Sequence, residues 1–228
     1  MGGPSLLKEP IHFDTYQYEC VEEIKLPKVD KNAFGKEFLE VFSGRRSIKE
    51  LGRCPIEKLS YILYYAIKPY SIARDDYGVT VYKSAAPSAG GRHPIDVIVG
   101  LPERHKRCLY LYDALNHSLR RMNIAPQKQW AFQNDVEQTL PFGESTLIWF
   151  SVQYMRTASK YSDYMSLVWR DIGAQLCCIQ QAAKYVGLDS CPIGYLAEET
   201  FDAMFGSDKL ISGGGMIVGD SLKSYAVE

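Results

Sequence analysis

Between Ser162 and Gly187 the residues Val168, Ile172, Leu176, Ile179, Ala183 and Val186 follow one another at steps of four, four, three, four and three. That rhythm returns to one helix face. It predicts a helix of roughly 25 residues, about 38 Å long at 1.5 Å per residue. A rod of this length crosses a whole domain, so the other elements have to be laid around it. Apolar residues extend beyond a single stripe, and Gly173, Ala174, Ala182 and Ala183 leave thin patches where another helix can approach. Such a helix suits a central position or a subunit interface.

The elements around it alternate between helix and strand. "IDVIVGL" (95–101) and "CLYLYD" (108–113) read as paired strands joined by the charged turn "PERHKR". "STLIWFSVQY" (145–154) reads as a buried strand of β-branched and aromatic residues, and "GMIVGD" (215–220) as a last strand fed by a glycine loop. Helices are predicted over "NAFGKEFLEVFSG" (32–44), with Phe34, Phe38, Val41 and Phe42 on one face and Gly44 as a C-cap, and over "CPIEKLSYILYYAIKPY" (54–70), with Pro55 near its first turn. "APQKQWAFQNDVEQ" (125–138) and "AEETFDAMFG" (197–206) complete the set. Strands separated by helices, with an antiparallel hairpin in the middle, indicate an α+β domain. Residues 1–33, with little periodicity, are expected to form an extended N-terminal arm, and 34–228 a single domain.

Composition removes several functional classes. With 26 Lys and Arg against 27 Asp and Glu the net charge is −1, without the basic surplus of a nucleic-acid binder. The apolar runs fall short of a membrane span, and "MGGPSLLKEP" has no signal-peptide core, so a soluble, cytoplasmic protein is expected. The six cysteines (20, 54, 108, 177, 178, 191) form no C-x-x-C pair, and the four histidines have no zinc-binding spacing. No metal site is expected. G-x-S-x-G, Walker and G-x-G-x-x-G patterns are absent.

Three short blocks carry chemistry. "SGRRSIKEL" (43–51) offers Arg45, Arg46, Ser47 and Lys49, whose guanidinium, hydroxyl and ammonium donors suit phosphate oxygens. "SAAPSAGGRHPID" (84–96) places Pro87, Ser88, Ala89 and Gly90 ahead of a strand, small residues that let a flat group come close to the backbone. "MRTASKYSDYMSLVWRDIG" (155–173) sets Lys160 and Tyr161 before the long helix, followed by Asp171 and Gly173.

Taken in order and closed by "GLDSCPIGY" (187–195), these blocks resemble the nitroreductase superfamily, and within it the SagB-type FMN-dependent azoline dehydrogenases. The resemblance runs from about Val41 to Gly219. It implies a nitroreductase-like α+β fold with a central, mainly antiparallel sheet flanked by helices and a long central helix. It also implies FMN as cofactor, with Arg45, Ser47 and Lys49 on its phosphate and Arg46 as a fourth contact. Pro87, Ser88, Ala89 and Gly90 would lie along the isoalloxazine ring, and Ile193 and Gly194 of "CPIGY" would line its other side. Lys160 and Tyr161 match the pair that acts on the azoline ring. Lys223 is a further phosphate candidate by position. The family binds FMN between two subunits, so a homodimer is implied, acting on a peptide or small-molecule substrate, with pathway enzymes as possible partners. Two other readings use the same residues: an NAD(P)H-dependent nitro or quinone flavin reductase, and a non-catalytic scaffold partner.

Overall fold

A computed structural model describes residues 3–30, 32–75, 79–103 and 106–222. Nine strands are described: β1 (Cys20–Lys25), β2 (Ser71–Arg74), β3 (Thr80–Lys83), β4 (Ile95–Glu103), β5 (Lys106–Asp113), β6 (Ser118–Met122), β7 (Thr146–Val152), β8 (Asp189–Ile193) and β9 (Ile211–Gly219). With them are six α-helices: α1 (Phe38–Gly44), α2 (Ile56–Ala66), α3 (Pro126–Thr139), α4 (Met155–Ala158), α5 (Met165–Tyr185) and α6 (Glu198–Phe205). Seven strands form one sheet in the order β1-β6-β5-β4-β7-β9-β8, every neighbouring pair antiparallel; β2 and β3 make a separate hairpin. The expected α+β architecture is present.

The sheet has a core on each face, and side-chain alternation decides which residue serves which. Val97 and Val99 of β4, Ile148 and Phe150 of β7, and Met216 and Val218 of β9 pack with α2 and α5. Their neighbours Ile98, Leu147, Trp149 and Ile217 pack on the opposite side with Phe132 and Val136 of α3 and Phe201 of α6. A strand covered on both faces needs apolar residues at every position, which is why β4 and β7 read as continuous apolar runs. Trp149 is fully buried, set edge-on to Phe132 at 5.2 Å, and its indole N–H donates to Ser212 Oγ at 2.9 Å.

The long helix spans 21 residues. It starts later than the periodicity predicts because Asp163 adopts φ +47°, outside the helical region, just before it. α1 is likewise shorter than expected. The Phe34 carbonyl accepts from the Tyr185 hydroxyl at 2.6 Å, and its ring packs on Tyr61 at 4.9 Å, so residue 34 is tied to other helices and α1 begins at Phe38. Phe38 and Phe42 stack on each other and, with Leu39, stay exposed.

Two further differences concern strands. The glycines of "SGGG" lie inside β9 instead of forming a loop before it: a Cβ on Gly215 would collide with the Ile148 carbonyl of the adjacent strand, and Gly214 takes φ +72°. Close backbone approach fixes glycine there. Residues 20–25, read as part of an arm, form edge strand β1 against β6, where Glu22 and Glu23 face Arg121 and Arg120. Opposite charges across a strand pair stabilise a ladder that has no apolar signature. The 95–113 hairpin forms as expected, its tip at 104–105 lying outside the described residues. Among the described residues no helix is long and apolar enough to cross a membrane, and no group of residues could hold a metal ion.

Candidate active site

The loop before β4 is held from several directions. Ser88 donates to Asp171 Oδ2 at 2.5 Å and accepts from the His93 N–H at 2.9 Å; the Ala89 N–H donates to Asp171 Oδ1 at 3.3 Å. Asp171 projects from the second turn of α5, so the long helix clamps the loop through one carboxylate. Burial pushes the Asp171 carboxyl above its ordinary range, while the Ser88 and Ala89 donors pull it down. His93 sits at φ +42°. Its Nε2 faces the Tyr82 carbonyl at 3.0 Å, which can only accept, so Nε2 bears the proton. Burial, with Arg156 adding to it, keeps the His93 ring below its usual pKa and therefore neutral at pH 7. Arg156 bonds both oxygens of Asp96 (2.8 and 3.3 Å) and the His93 carbonyl (3.1 Å), fixing the loop's exit into β4.

At the apex Gly90 has φ +60°, ψ +20°, a conformation that costs little only for glycine. It is also the point where two of the sequence blocks meet. A Cβ at Gly90 would lie 2.6 Å from the Tyr161 hydroxyl and 3.4 Å from Lys160 Nζ. The pair is presented by the turn after α4, where the Thr157 carbonyl accepts the N–H groups of both Lys160 and Tyr161 at 3.1 Å. The N-terminal segment reinforces this turn: Leu7 N–H donates to the Lys160 carbonyl at 2.9 Å, Ile11 N–H to Ser159 at 2.8 Å, and Ser162 N–H to Ser5 at 3.0 Å.

The basic block lies elsewhere. Ser47 bridges Ser190 in parallel, and Ile48 N–H donates to the Ser190 carbonyl at 3.1 Å, so the block runs along the free edge of β8. Lys49 lies close enough to Cys191 to offset part of the rise that burial gives that thiol. Among the described residues Arg45 and Lys49 have no carboxylate partner. Arg46 turns its Nη1 back to the Ser43 and Arg45 carbonyls (2.6 and 2.9 Å). Ile193 is buried at the end of β8, and Gly194 after it is exposed, with nothing within 4 Å of a Cβ placed there. Leu222 N–H donates to the Glu50 carbonyl at 3.1 Å, bringing the chain back beside this block; Lys223 lies outside the described residues.

The structure therefore joins the loop to the Lys-Tyr pair, and the basic block to β8, as two groups. β4 and β8 are separated by β7 and β9, three strand spacings or about 14 Å. The clamping role of Asp171, and the part that Arg156 and Asp96 take in fixing the loop, emerge only in the fold. The D-x-G spacing on the long helix was the available signal for the first; the other two had none.

A seven-stranded antiparallel sheet with helices on both faces, a clamped Pro-Ser-Ala-Gly loop and a basic segment along its outer strand defines the class of protein at issue. The nitroreductase family matches residues 43–220, and the chain belongs to that family. No curated protein matches it in sequence. Among solved structures it is similar to a protein described as a nitroreductase from Ralstonia eutropha JMP134 (18% identity, 94% of this chain and 98% of that one, TM-score 0.66). It is also similar to a chain of the Escherichia coli microcin synthetase McbBCD complex with truncated pro-MccB17 bound (14%, 95% and 79%, 0.59). A third is an FMN-dependent nitroreductase of Clostridium difficile R20291 (16%, 83% and 91%, 0.52). At these identities the likeness is one of fold.

Proposed function

We propose that the protein is an FMN-dependent dehydrogenase of a peptide or peptide-like substrate, oxidising an azoline ring to an azole. The observation behind this reading is the contact of Lys160 and Tyr161 with Gly90, which sets a potential proton acceptor and a hydroxyl against the small-residue loop. The donor set fits FMN. Arg45, Ser47 and Lys49 would hold the phosphate, since they sit together beside β8 and the two cations have no carboxylate of their own among the described residues. Gly194 leaves backbone N–H groups approachable, and the Pro87–Gly90 loop is glycine-tipped and already fixed by Asp171. When bound, FMN supplies a two-electron acceptor for hydride.

Aromatising an azoline removes one proton and one hydride. Lys160 Nζ is the group placed to take the proton, and the Tyr161 hydroxyl to orient the ring beside it. Because the loop feeds β4 and the basic block follows β8, strands about 14 Å apart across the sheet, we infer that a second copy of the chain completes each site. The exposed Phe38, Leu39, Phe42 and Trp169 support this, as does the line of Gly173 and Cys177 on the outer side of α5. A peptide substrate is in keeping with the likeness to the microcin synthetase, a complex solved with truncated pro-MccB17.

The test has two stages. The purified protein is expected to be yellow and to release FMN, identified by mass. Incubated with a thiazoline-bearing peptide, it should remove the mass of two hydrogens, while Lys160→Ala and Tyr161→Phe keep their flavin and lose the activity. A colourless protein that takes up no added FMN defeats the reading. A flavin that NAD(P)H bleaches rapidly, in a protein that leaves the thiazoline untouched, transfers it to the reductase class.

A further inference from the structure

The N-terminal segment lies along both halves of the candidate site, and burial of its side chains does not explain its course. Leu6 is 66% exposed and Ile11 52%, so little apolar area offsets the entropy lost in ordering this stretch. What holds it is a line of hydrogen bonds to residues 151–162. The Leu7 and Ile11 N–H groups donate to the carbonyls of Lys160 and Ser159, and the Ser5 carbonyl accepts from the Ser162 N–H. Ser5 Oγ also lies 2.9 Å from Ser162 Oγ. Further on, the Tyr18 hydroxyl donates to Ser151 Oγ at 2.8 Å.

Between these anchorages sits Gln153, directly after β7 and 4% exposed. Its Oε1 accepts the Tyr16 N–H at 2.7 Å, and its Nε2 donates to Asp96 Oδ2 at 2.6 Å and to the Tyr16 carbonyl at 3.3 Å. The amide grips both backbone groups of one residue and passes that contact to a carboxylate. Asp96 is the partner of Arg156, whose Nη1 also donates to the His93 carbonyl at the loop's exit. One segment is therefore bonded at one end to the turn bearing Lys160 and Tyr161, and at the other, through Gln153 and Asp96, to the loop bearing Gly90. We propose that residues 5–16 are a positioning element that fixes the Lys-Tyr turn against the Pro87–Gly90 loop, with Gln153 as the positioning residue that ties them to the loop. The inference deepens the dehydrogenase reading, and only its kinetic test rests on that reading.

The experiment compares Leu7→Pro, which removes the N–H that bonds the Lys160 carbonyl, with Leu7→Ala, which keeps it. Hydrogen exchange of the full chain is followed by mass spectrometry on peptides covering 88–93, 159–162 and, for reference, the buried strand at 147–151. In Leu7→Pro the Ser162 amide and the loop amides should exchange about fivefold faster, the factor given by loss of one typical hydrogen bond. The reference strand should be unchanged, and Leu7→Ala should match the unsubstituted protein throughout. Gln153→Asn, too short to reach Tyr16 and Asp96 together, should loosen 88–93 and leave 159–162 as it was. In thiazoline turnover Leu7→Pro should lower kcat about tenfold with KM unchanged, as displacement at a reacting centre does. The proposal is overturned if 88–93 exchanges at the original rate in Leu7→Pro, if the reference strand loosens as much, if Leu7→Ala behaves like Leu7→Pro, or if the loss of turnover lies in KM. Should Leu7→Pro fail to fold, unchanged exchange of 88–93 in Gln153→Asn overturns it instead. A protein that leaves the thiazoline untouched defeats the dehydrogenase reading alone, because the exchange rates still decide whether the segment positions the turn.

Discussion

Replacing Gly90 with alanine tests whether the loop and the Lys-Tyr pair work as one unit. The alanine must hold φ +60°, and an L-residue in that region costs about 1–2 kcal/mol. The reduced freedom of the unfolded chain returns about 0.4–1 kcal/mol. The net loss is therefore about 1 kcal/mol, a fall in Tm of about 2–4 °C for a chain of this size. The larger effect is local. A methyl 2.6 Å from the Tyr161 hydroxyl forces that side chain back by most of an ångström, and displacements of that order at a reacting centre cost about 10²-fold in rate. Gly91→Ala is the control: it bears a similar φ, +67°, but its Cβ meets Tyr82 and Val81 instead of the pair. Melting curves and thiazoline turnover on both variants should show similar, small losses of stability, with turnover falling ten- to a hundredfold only for Gly90→Ala. Equal turnover in the two would refute the reasoning, because backbone strain alone would then account for everything seen.

Asp171→Ala strips the loop of its clamp and leaves the Ser88 hydroxyl and Ala89 N–H without their acceptor; urea unfolding should register a loss of about 2–3 kcal/mol, and titration with FMN at least a tenfold weaker uptake. Stability should fall as the pH drops from neutrality through the ordinary histidine pKa of about 6.5. His93 and His117 both have their ring pKa lowered from 6.5 chiefly by burial, so the unfolded chain takes up protons first as pH drops through that value, and the loss continues down to the folded pKa. His93→Gln should shallow the slope of denaturation midpoint against pH; an unchanged slope would mean that His93 does not stay neutral in the fold. Gly173→Trp adds bulk where a Cβ meets nothing within 4 Å in the chain itself; sedimentation should show a monomer with little flavin, and an intact dimer would remove α5 from the proposed interface.

What could be read in the sequence follows from how each element is stabilised. β4 and β7 were legible because a strand buried on both faces is apolar over most of its length, and β5 because its Cys108–Tyr112 stretch is. α5 was legible because one stripe of it packs on that sheet. β1 and β6 were not, since Glu22, Glu23, Arg120 and Arg121 pair with each other across the ladder and look like any solvated charged stretch. The glycines of β9 misled for a related reason: a residue selected for the closeness of a neighbouring backbone is locally indistinguishable from one selected for a turn. Phe38 and Phe42 conformed to a helical face, yet the Phe34 carbonyl was already engaged by Tyr185, a contact across 151 residues that no local window contains.

The candidate site divides along the same line. Residue types within a block (two arginines and a lysine, a run of small residues, a lysine beside a tyrosine) announce which chemistry a segment can do, and those were all visible. Which blocks touch is a property of strand order. The loop meets Lys160 and Tyr161 because the turn after α4 and the N-terminal turns of α5 pack on it, whereas the basic block follows β8 to the far edge of the sheet. A chain that meets its own loop with its own Lys-Tyr pair holds its basic block three strands away. Under the flavin reading, each copy then brings a cradle for the phosphate to the loop of its partner, and binding and pairing become a single equilibrium: excess FMN should tighten the dimer, and dilution into monomers should release the flavin.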